Sequence, residues 1–296
     1  MGAYASQLLA WYRRHGRDLP WRRTRDPYAL FMSELMLQQT QVDRVIGFWD
    51  AWCKRFPNWN ALADAPTPDL LHAWAGLGYN RRALFAREAA RQVVANGVPD
   101  TEDSWRHLKG VGPYMAAALT AFVDRQRAIV VDTNIRRVAG RALLGIAHPR
   151  PADDARIKSV LERETPVRGA HFDLPQAEMD IANAVCHVRS PDCAACPLKD
   201  ACLAHPLFAN GPVERPRAKK TERIREGKRW PDRIYRGRIL AWIRAHGPTP
   251  IAHLGAKADE TYRPTDQEWV EAMVGRLAAD GMVEVDEKRN VRLPRA

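Results

Sequence analysis

The stretch Cys186-His187-Val188-Arg189-Ser190-Pro191-Asp192-Cys193-Ala194-Ala195-Cys196-Pro197-Leu198-Lys199-Asp200-Ala201-Cys202 carries four cysteines in the pattern C-x6-C-x2-C-x5-C. Four thiolates this close can surround one metal centre, and a C-x2-C pair is the usual core of such a cage. Structural zinc sites with four cysteines commonly use two short pairs separated by a long gap. Here the three intervals form one continuous loop, which suits a cubane [4Fe-4S] cluster held at four corners. Spacing alone favours the cubane and leaves zinc open.

The chain has 296 residues, enough for two domains that each bury a core. Its fifth cysteine, Cys53, lies in a helical-looking apolar stretch and reads as a packed thiol. Five cysteines with four clustered argue against a disulfide framework and for a reducing cytoplasm. No apolar run is long enough for a membrane span or a signal peptide. The opening residues formally fit a myristoylation pattern, but Ser6 reads better as the N-cap of a helix carrying Leu8, Leu9, Trp11 and Tyr12.

Lys and Arg number 46 against 35 Asp and Glu, a formal charge of +11. That surplus points to an acidic partner, with nucleic acid the first candidate; a merely basic soluble enzyme is the plain alternative. Residues 211–240 concentrate the effect, with eleven Lys/Arg against four acids in a stretch of poor apolar periodicity. This reads as a basic linker able to lie along phosphates.

Residues 6–205 carry apolar side chains at three- and four-residue spacing and predict a mainly helical domain. Trp49, Trp52 and Trp74 fall in that pattern and read as core. Beyond the linker the sequence predicts helices from about Asp232 to His246, Ile251 to Leu254 and Asp266 to Asp280. Met282–Val285 and Asn290–Leu293 then flank a polar turn as a hairpin. The outline is that of a winged helix. The expected division is 1–210, a linker over 211–232, and a small α+β module over 233–296.

Three segments outside the cysteine loop can carry chemistry. Leu108-Lys109-Gly110-Val111-Gly112-Pro113-Tyr114 precedes an alanine-rich helix. Two glycines around one apolar residue leave backbone N–H groups open at a helix start, a nest suited to phosphate, although an ordinary interhelical turn has the same pattern. Val130-Val131-Asp132-Thr133-Asn134 ends an apolar run before another helix. Asp132 or Thr133 can be a plain N-cap, or the carboxylate can be one held at a fixed point for catalysis. In Tyr28–Gln41, Glu34 shares its helix face with Leu30, Phe31, Leu37, Gln38 and Gln41. An acid in such company should have a raised pKa and hold a proton near neutrality. The neighbouring amides Gln38 and Gln39 could read or wedge a base.

Taken together, these segments make the chain resemble the adenine DNA glycosylases of the MutY family, within the helix-hairpin-helix glycosylase superfamily. The resemblance runs from about Leu8 to Cys202. It rests on Leu19-Pro20-Trp21, Ser33-Glu34-Leu35-Met36-Leu37-Gln38-Gln39-Thr40-Gln41-Val42, Gly76-Leu77-Gly78-Tyr79, Gly110-Val111-Gly112, Val131-Asp132-x-Asn134 and the cysteine quartet. It implies a two-lobed helical glycosylase fold and selects [4Fe-4S] over zinc as the cofactor of Cys186, Cys193, Cys196 and Cys202. It further implies a monomer, cytoplasmic and nucleoid-associated, that acts on mismatched double-stranded DNA and flips adenine out of the duplex.

Residue by residue, the resemblance implies that Glu34 protonates adenine at N7 and that Asp132, supported by Asn134, stabilises the oxocarbenium-like sugar. Gln38 and Tyr79 would intrude near the opposite base, and Gly110, Gly112, His187 and Arg189 would grip the backbone. Tyr114 stands where bifunctional relatives carry a catalytic lysine, which implies excision without strand cleavage. Two features depart from the family: Lys109 and Thr133 replace a common proline and glycine, and the 94 residues after Cys202 are shorter than the Nudix-like domain that senses 8-oxoguanine. The rival readings are a T:G thymine glycosylase, an endonuclease III-like lyase, and an iron–sulfur DNA-binding protein without catalysis.

Overall fold

The computed structural model describes residues 2–123, 126–166, 172–209, 211, 213, 214, 222 and 224–295. Of the stretch read as a basic linker, residues 212, 215–221 and 223 lie outside those described. The chain is mainly helical, as its periodicity predicts. In order come α1 (Ala3–His15), α2 (Pro27–Leu37), α3 (Val42–Arg55), α4 (Trp59–Ala63), α5 (Thr67–Ala73), α6 (Arg81–Asn96), α7 (Glu102–Arg106) and α8 (Pro113–Phe122). They are followed by α9 (Thr133–Leu144), α10 (Asp154–Glu164), α11 (Asp173–Ala184), α12 (His205–Phe208), α13 (Asp232–His246), α14 (Ile251–Ala258) and α15 (Gln267–Ala279). Strands β1 (Thr249–Pro250), β2 (Glu284–Val285) and β3 (Asn290–Arg292) form one antiparallel sheet in the order β1-β3-β2.

These elements form two compact units, residues 1–31 with 98–217, and residues 32–97 with 218–296. In the first, α1, α8, α9, α10 and α11 enclose a core containing Leu8, Ala117, Ala118, Ile135, Val138, Ile157 and Ile181. The alanines of α8 let neighbouring helices approach closely, which explains why so small a side chain recurs on a fully buried element. Buried Asp180 of α11 receives hydrogen bonds from the Arg17 backbone N–H (2.8 Å), Arg17 Nε (2.8 Å) and both terminal nitrogens of Arg22 (2.8 and 2.9 Å). Those bonds tie the segment after α1 to α11.

α1 begins at Ala3 with Gly2 as its cap, so Ser6 is an interior residue rather than the N-cap. The reason is tertiary. Tyr4 is buried and its hydroxyl donates to Glu178 Oε1 at 2.6 Å, which draws the helix start back by a turn.

In the second unit, α13, α14 and α15 with the sheet enclose Tyr235, Ile239, Leu240, Ile243, Leu254, Val270, Met273, Leu277 and Val291. Leu71 of α5 belongs to the same core, and Leu84 of α6 packs against it. Arg244 donates to the Leu71 carbonyl at 3.0 Å and Arg81 pairs with Asp280 at 3.4 Å. The C-terminal elements are therefore built onto α5 and α6 through a shared core. Trp52 and Trp74 are fully buried and meet edge to face at 5.2 Å, while Trp49 is half-buried. Among the described residues no helix is long and apolar enough to cross a membrane.

Candidate functional site

In the first unit, Asp132 is the N-cap of α9. Its Oδ1 accepts from the backbone N–H of Asn134 (2.8 Å) and Ile135 (2.6 Å), and its Oδ2 accepts from Asn134 Nδ2 (2.9 Å). The plain reading and the sharp one thus describe the same side chain. A carboxylate at a helix N-terminus with three N–H donors is held in one orientation and favoured by the helix dipole. Burial nevertheless outweighs those donors and Arg137, leaving the carboxyl above the ordinary aspartate range. Asp132 is consequently an immobile carboxylate with more basicity than a solvated one.

Asn134 is fixed in turn. Arg137, one turn further along α9, donates through Nη2 to Asn134 Oδ1 (3.2 Å) and to the Ala182 carbonyl (2.9 Å). Its Nε donates to the Cys186 carbonyl at 2.7 Å. One turn later Arg141 donates to the carbonyls of Ala147, His187 and Val188 at 2.9, 2.7 and 2.8 Å, and lies 3.4 Å from Cys186 Sγ. A single helix therefore carries the Asp132 cap and holds the start of the cysteine loop. Both arginines escaped the sequence reading; their i, i+4 spacing on the apolar side of α9 was the available signal.

Cys186, Cys193, Cys196 and Cys202 line one pocket, partly open to solvent, together with Arg141, Pro191 and Lys199. All four are free thiols and half-buried. Burial pushes the Cys196 thiol up to about 11 and raises Cys193 and Cys202 as well. Among the described residues no three Cys, His, Asp or Glu groups converge closely enough to hold one ion. What the four cysteines share is one pocket, and four thiols around a common space are a donor set that a metal centre can use. Arg189 is exposed on the same loop.

The α7–α8 hairpin is closed by Leu108 N–H and Val111 N–H bonds to the carbonyls of Trp105 (3.1 Å) and Leu108 (3.2 Å). Gly110 has φ +84, in the left-handed region. Gly112 caps α8 ahead of Pro113, with ordinary φ, and a Cβ there would meet nothing within 4 Å. No contact among the described residues explains the glycine at 112. Tyr114 packs half-buried against the core of the first unit.

In the second unit, Glu34 lies in a run of nine buried residues, Tyr28 to Met36, and is itself 7% exposed. Apart from Ser33 and Glu34, helix α2 is apolar, in keeping with the burial of residues 28–36. Its C-terminal end is bound by a residue the sequence did not suggest. Arg82, buried at the start of α6, donates through Nη1 to the carbonyls of Leu35 (2.8 Å), Met36 (3.0 Å) and Gln38 (2.6 Å). Through Nη2 it donates to Thr40 Oγ1 (3.1 Å) and to the carbonyls of Leu77 (3.4 Å) and Gly78 (3.1 Å). Burial lowers its guanidinium pKa to about 10, so it stays charged at neutral pH. One cation thus satisfies the orphan carbonyls of α2 and fixes the Gly76–Tyr79 turn. Gln39 and Tyr79 both have left-handed backbone, φ +55 and +48, and Tyr79 is 47% exposed. Two strained residues with polar or aromatic side chains, held by one buried arginine, form a rigid presentation surface.

Residues 32–163 match the family of HhH-GPD superfamily base excision DNA repair proteins. The adenine DNA glycosylase of Mycobacterium tuberculosis is 39% identical over 250 residues, covering 81% of this chain and 78% of the relative. That of Mycolicibacterium smegmatis is 35% identical over 282 residues, covering 94% and 92%. Among solved structures, a thermostable thymine-DNA glycosylase superposes with a TM-score of 0.65 at 26% identity, over 69% of this chain and 95% of that one. A trapped endonuclease III–DNA covalent intermediate shares the fold, with a TM-score of 0.59 at 19% identity.

Proposed function

The chain belongs to the adenine DNA glycosylases, hydrolases of base excision repair, and on that premise we propose that it excises adenine paired with 8-oxoguanine or guanine without cleaving the strand. Glu34 is the general acid: enclosed in α2, it delivers a proton to N7 of the flipped base and turns adenine into a neutral leaving group. Asp132 faces the positive charge that develops on the sugar as the N-glycosidic bond lengthens. Water completes the hydrolysis, in the two-carboxylate logic of glycoside cleavage. Asn134 orients Asp132. Tyr114, in place of an amine nucleophile, leaves the enzyme without a Schiff-base route.

Gln38, Gln39 and Tyr79 enter the duplex near the opposite base, and Gly110, Gly112 and Arg189 contact its backbone. The open space beside Gly112 supports this, because a missing Cβ lets a phosphate approach the N–H groups at the start of α8. The four cysteines hold a [4Fe-4S] cluster, which fixes the loop carrying Arg189. Their place around one common pocket supports that assignment. Residues 1–210 form the glycosylase domain, 211–232 a basic linker and 233–296 a winged-helix-like module. The protein acts as a soluble monomer on double-stranded DNA in a prokaryotic-type cytoplasm.

The observation that carries the reading is Asp132, a carboxylate locked by three N–H donors yet raised in pKa by burial. The test is base release from labelled A:8-oxoguanine, A:G, A:C, T:G and U:G duplexes. Release is expected from the first two. Glu34→Gln and Asp132→Asn should bind the duplex and release no base; retained excision in both would remove the mechanism. The thymine-DNA glycosylase superposition keeps one second reading alive, and cleavage of T:G but not A:G would select it.

A further inference from the structure

The elements α13–α15 and their sheet take no part in the chemistry above, and their charge is unevenly distributed. In a winged-helix outline, α15 and the hairpin tip are the usual groove-facing elements. Here α15 exposes Glu268, Ala272, Gly275, Arg276 and Ala279. Arg276 is turned back onto Asp232 at 3.1 Å, and Arg289 of the tip onto Glu271 at 2.7 Å. The rest of the tip sets Lys288 against Asp286 and Glu287. With Glu268, Glu271, Asp286 and Glu287 against Arg276, Lys288 and Arg289, α15 and the tip offer no net positive charge to a phosphate backbone, whichever pairs open.

α13 differs. It carries Arg233, Arg236, Arg238 and Arg244 against the single acid Asp232, and Arg225, Lys228 and Arg229 precede it with one acid, Glu226, among them. Some of these cations are structural: Arg244 binds the Leu71 carbonyl, and Lys228 is buried between Asp259 and Asp266 at 2.7 Å each. Arg225, Arg229 and Arg233 are exposed, and Arg229 lies 4.9 Å from the ring centre of exposed Trp230. The Arg233 guanidinium stands 6.0 Å from the centre of the Tyr79 ring. Its partner Glu222 is as exposed as Arg233 itself, and an ion pair that open to water is weak enough for a phosphate to replace.

We propose that the C-terminal module binds duplex DNA through the N-terminal end of α13 and the segment 225–230, contacting phosphates beside Tyr79, and not through α15. The inference rests on Tyr79 facing DNA, as in the reading above. Tyr79 sits where α6 begins, and α13 is anchored to α5 and α6 through the shared core and Arg244. A strand within reach of the Tyr79 ring is therefore within one side chain of Arg233. The module would extend the grip on the duplex around the intruding residue, with sequence-independent contacts to the backbone.

The test uses the full chain and a fluorescent duplex containing adenine opposite 8-oxoguanine, with the adenosine replaced by a non-cleavable 2′-fluoro analogue. Anisotropy titrations from 50 to 200 mM salt compare the wild type with Arg229→Ala/Arg233→Ala and with Lys288→Ala/Arg289→Ala. The α13-side pair should weaken binding about tenfold and make the log–log salt dependence shallower by about two. Arg229→Lys/Arg233→Lys should restore most of that slope, while the hairpin-tip pair should stay within about twofold of wild type. An unchanged affinity and slope in the α13-side pair, or a larger loss in the hairpin-tip pair, would overturn the proposal. All the substituted side chains are exposed, and matching thermal melts confirm that folding is intact. Failure of the wild type to excise ordinary adenine would count against the glycosylase reading, while the salt slope would still decide the role of α13.

Discussion

Arg137 Nε donates to the backbone carbonyl of Cys186 at 2.7 Å, and the other side of the same guanidinium reaches Asn134 at 3.2 Å. The Asp132 cap and the first cysteine thus share one cation. Replacing Arg137 by Ala leaves the Cys186 and Ala182 carbonyls and the Asn134 amide short of a donor, a loss on the order of 1–3 kcal/mol. Arg137→Lys restores charge without the planar fork and should recover only part of it. Both variants should lower single-turnover base release by about tenfold or more. Alanine should also lower the visible absorbance of the purified protein as cluster content falls. Full activity with unchanged absorbance in the alanine variant would show that the shared cation does nothing for either site.

Asn134 Nδ2 donates to Asp132 Oδ2 at 2.9 Å, and that bond helps hold the carboxyl down against burial. Catalysis needs the ionised form. Because burial already places the Asp132 pKa above the ordinary aspartate value, activity should fall on acidification earlier than a solvated aspartate would require. Asn134→Ala removes one of the stabilising bonds, so the pKa rises further and the acidic limb of the pH–rate profile moves to higher pH. The decisive measurement is single-turnover excision between pH 4 and 8. A limb that stays put would place the titrating group elsewhere.

Much of this architecture was legible in the chain. The helical period of residues 6–205 and the Gly110–Gly112 hairpin preceded by Leu108 needed only local rules. The Asp232–His246 helix reproduced its expected bounds. Local rules failed where a distant partner decides. Ser6 has the chemistry of a cap, yet Tyr4 reaches Glu178, 174 positions away, and moves the helix start. The second C-terminal helix extends to Ala258 because Leu254 and Ala258 both enter the core, which composition over four residues does not reveal. Arginines gave the least signal. Arg82, Arg137 and Arg141 are each directed at backbone carbonyls of remote segments, and no local pattern marks such a partner.

Glu178 accepts the Tyr4 hydroxyl at 2.6 Å inside the core of the first unit, and burial, opposed by that bond and reinforced by Asp132, raises its pKa to about 8. In the unfolded chain it titrates near 4.5. Folding therefore favours the protonated form. At low pH, where both states are protonated, the group costs nothing; as pH rises from about 5 to 8 the unfolded state ionises first and stability falls. Glu178→Gln keeps the acceptor for Tyr4 and removes the titration. The variant should match the wild type in urea melts at pH 5 and exceed it at pH 9, by on the order of 1–3 kcal/mol. Parallel pH dependences for the two proteins would refute the assignment.

Gly110 and Gly112 lie two residues apart, and the structure asks different things of them. Gly110 has φ +84, where an L side chain is strained by about 1 kcal/mol, so Gly110→Ala should lower thermal stability whether or not DNA is present. Gly112 has φ −96, and a Cβ there would meet nothing among the described residues within 4 Å. Gly112→Ala should thus melt within about 0.5 kcal/mol of wild type. If a phosphate docks against the N–H groups at the start of α8, the added methyl occupies its approach. Duplex affinity should then drop by about tenfold or more, equally for mispaired and fully paired DNA, because the contact reads no sequence. Anisotropy with both duplexes, beside a thermal melt of each variant, separates the two glycines. An affinity loss in Gly110→Ala alone would instead mean that the hairpin needs only its turn, and that no phosphate approaches Gly112.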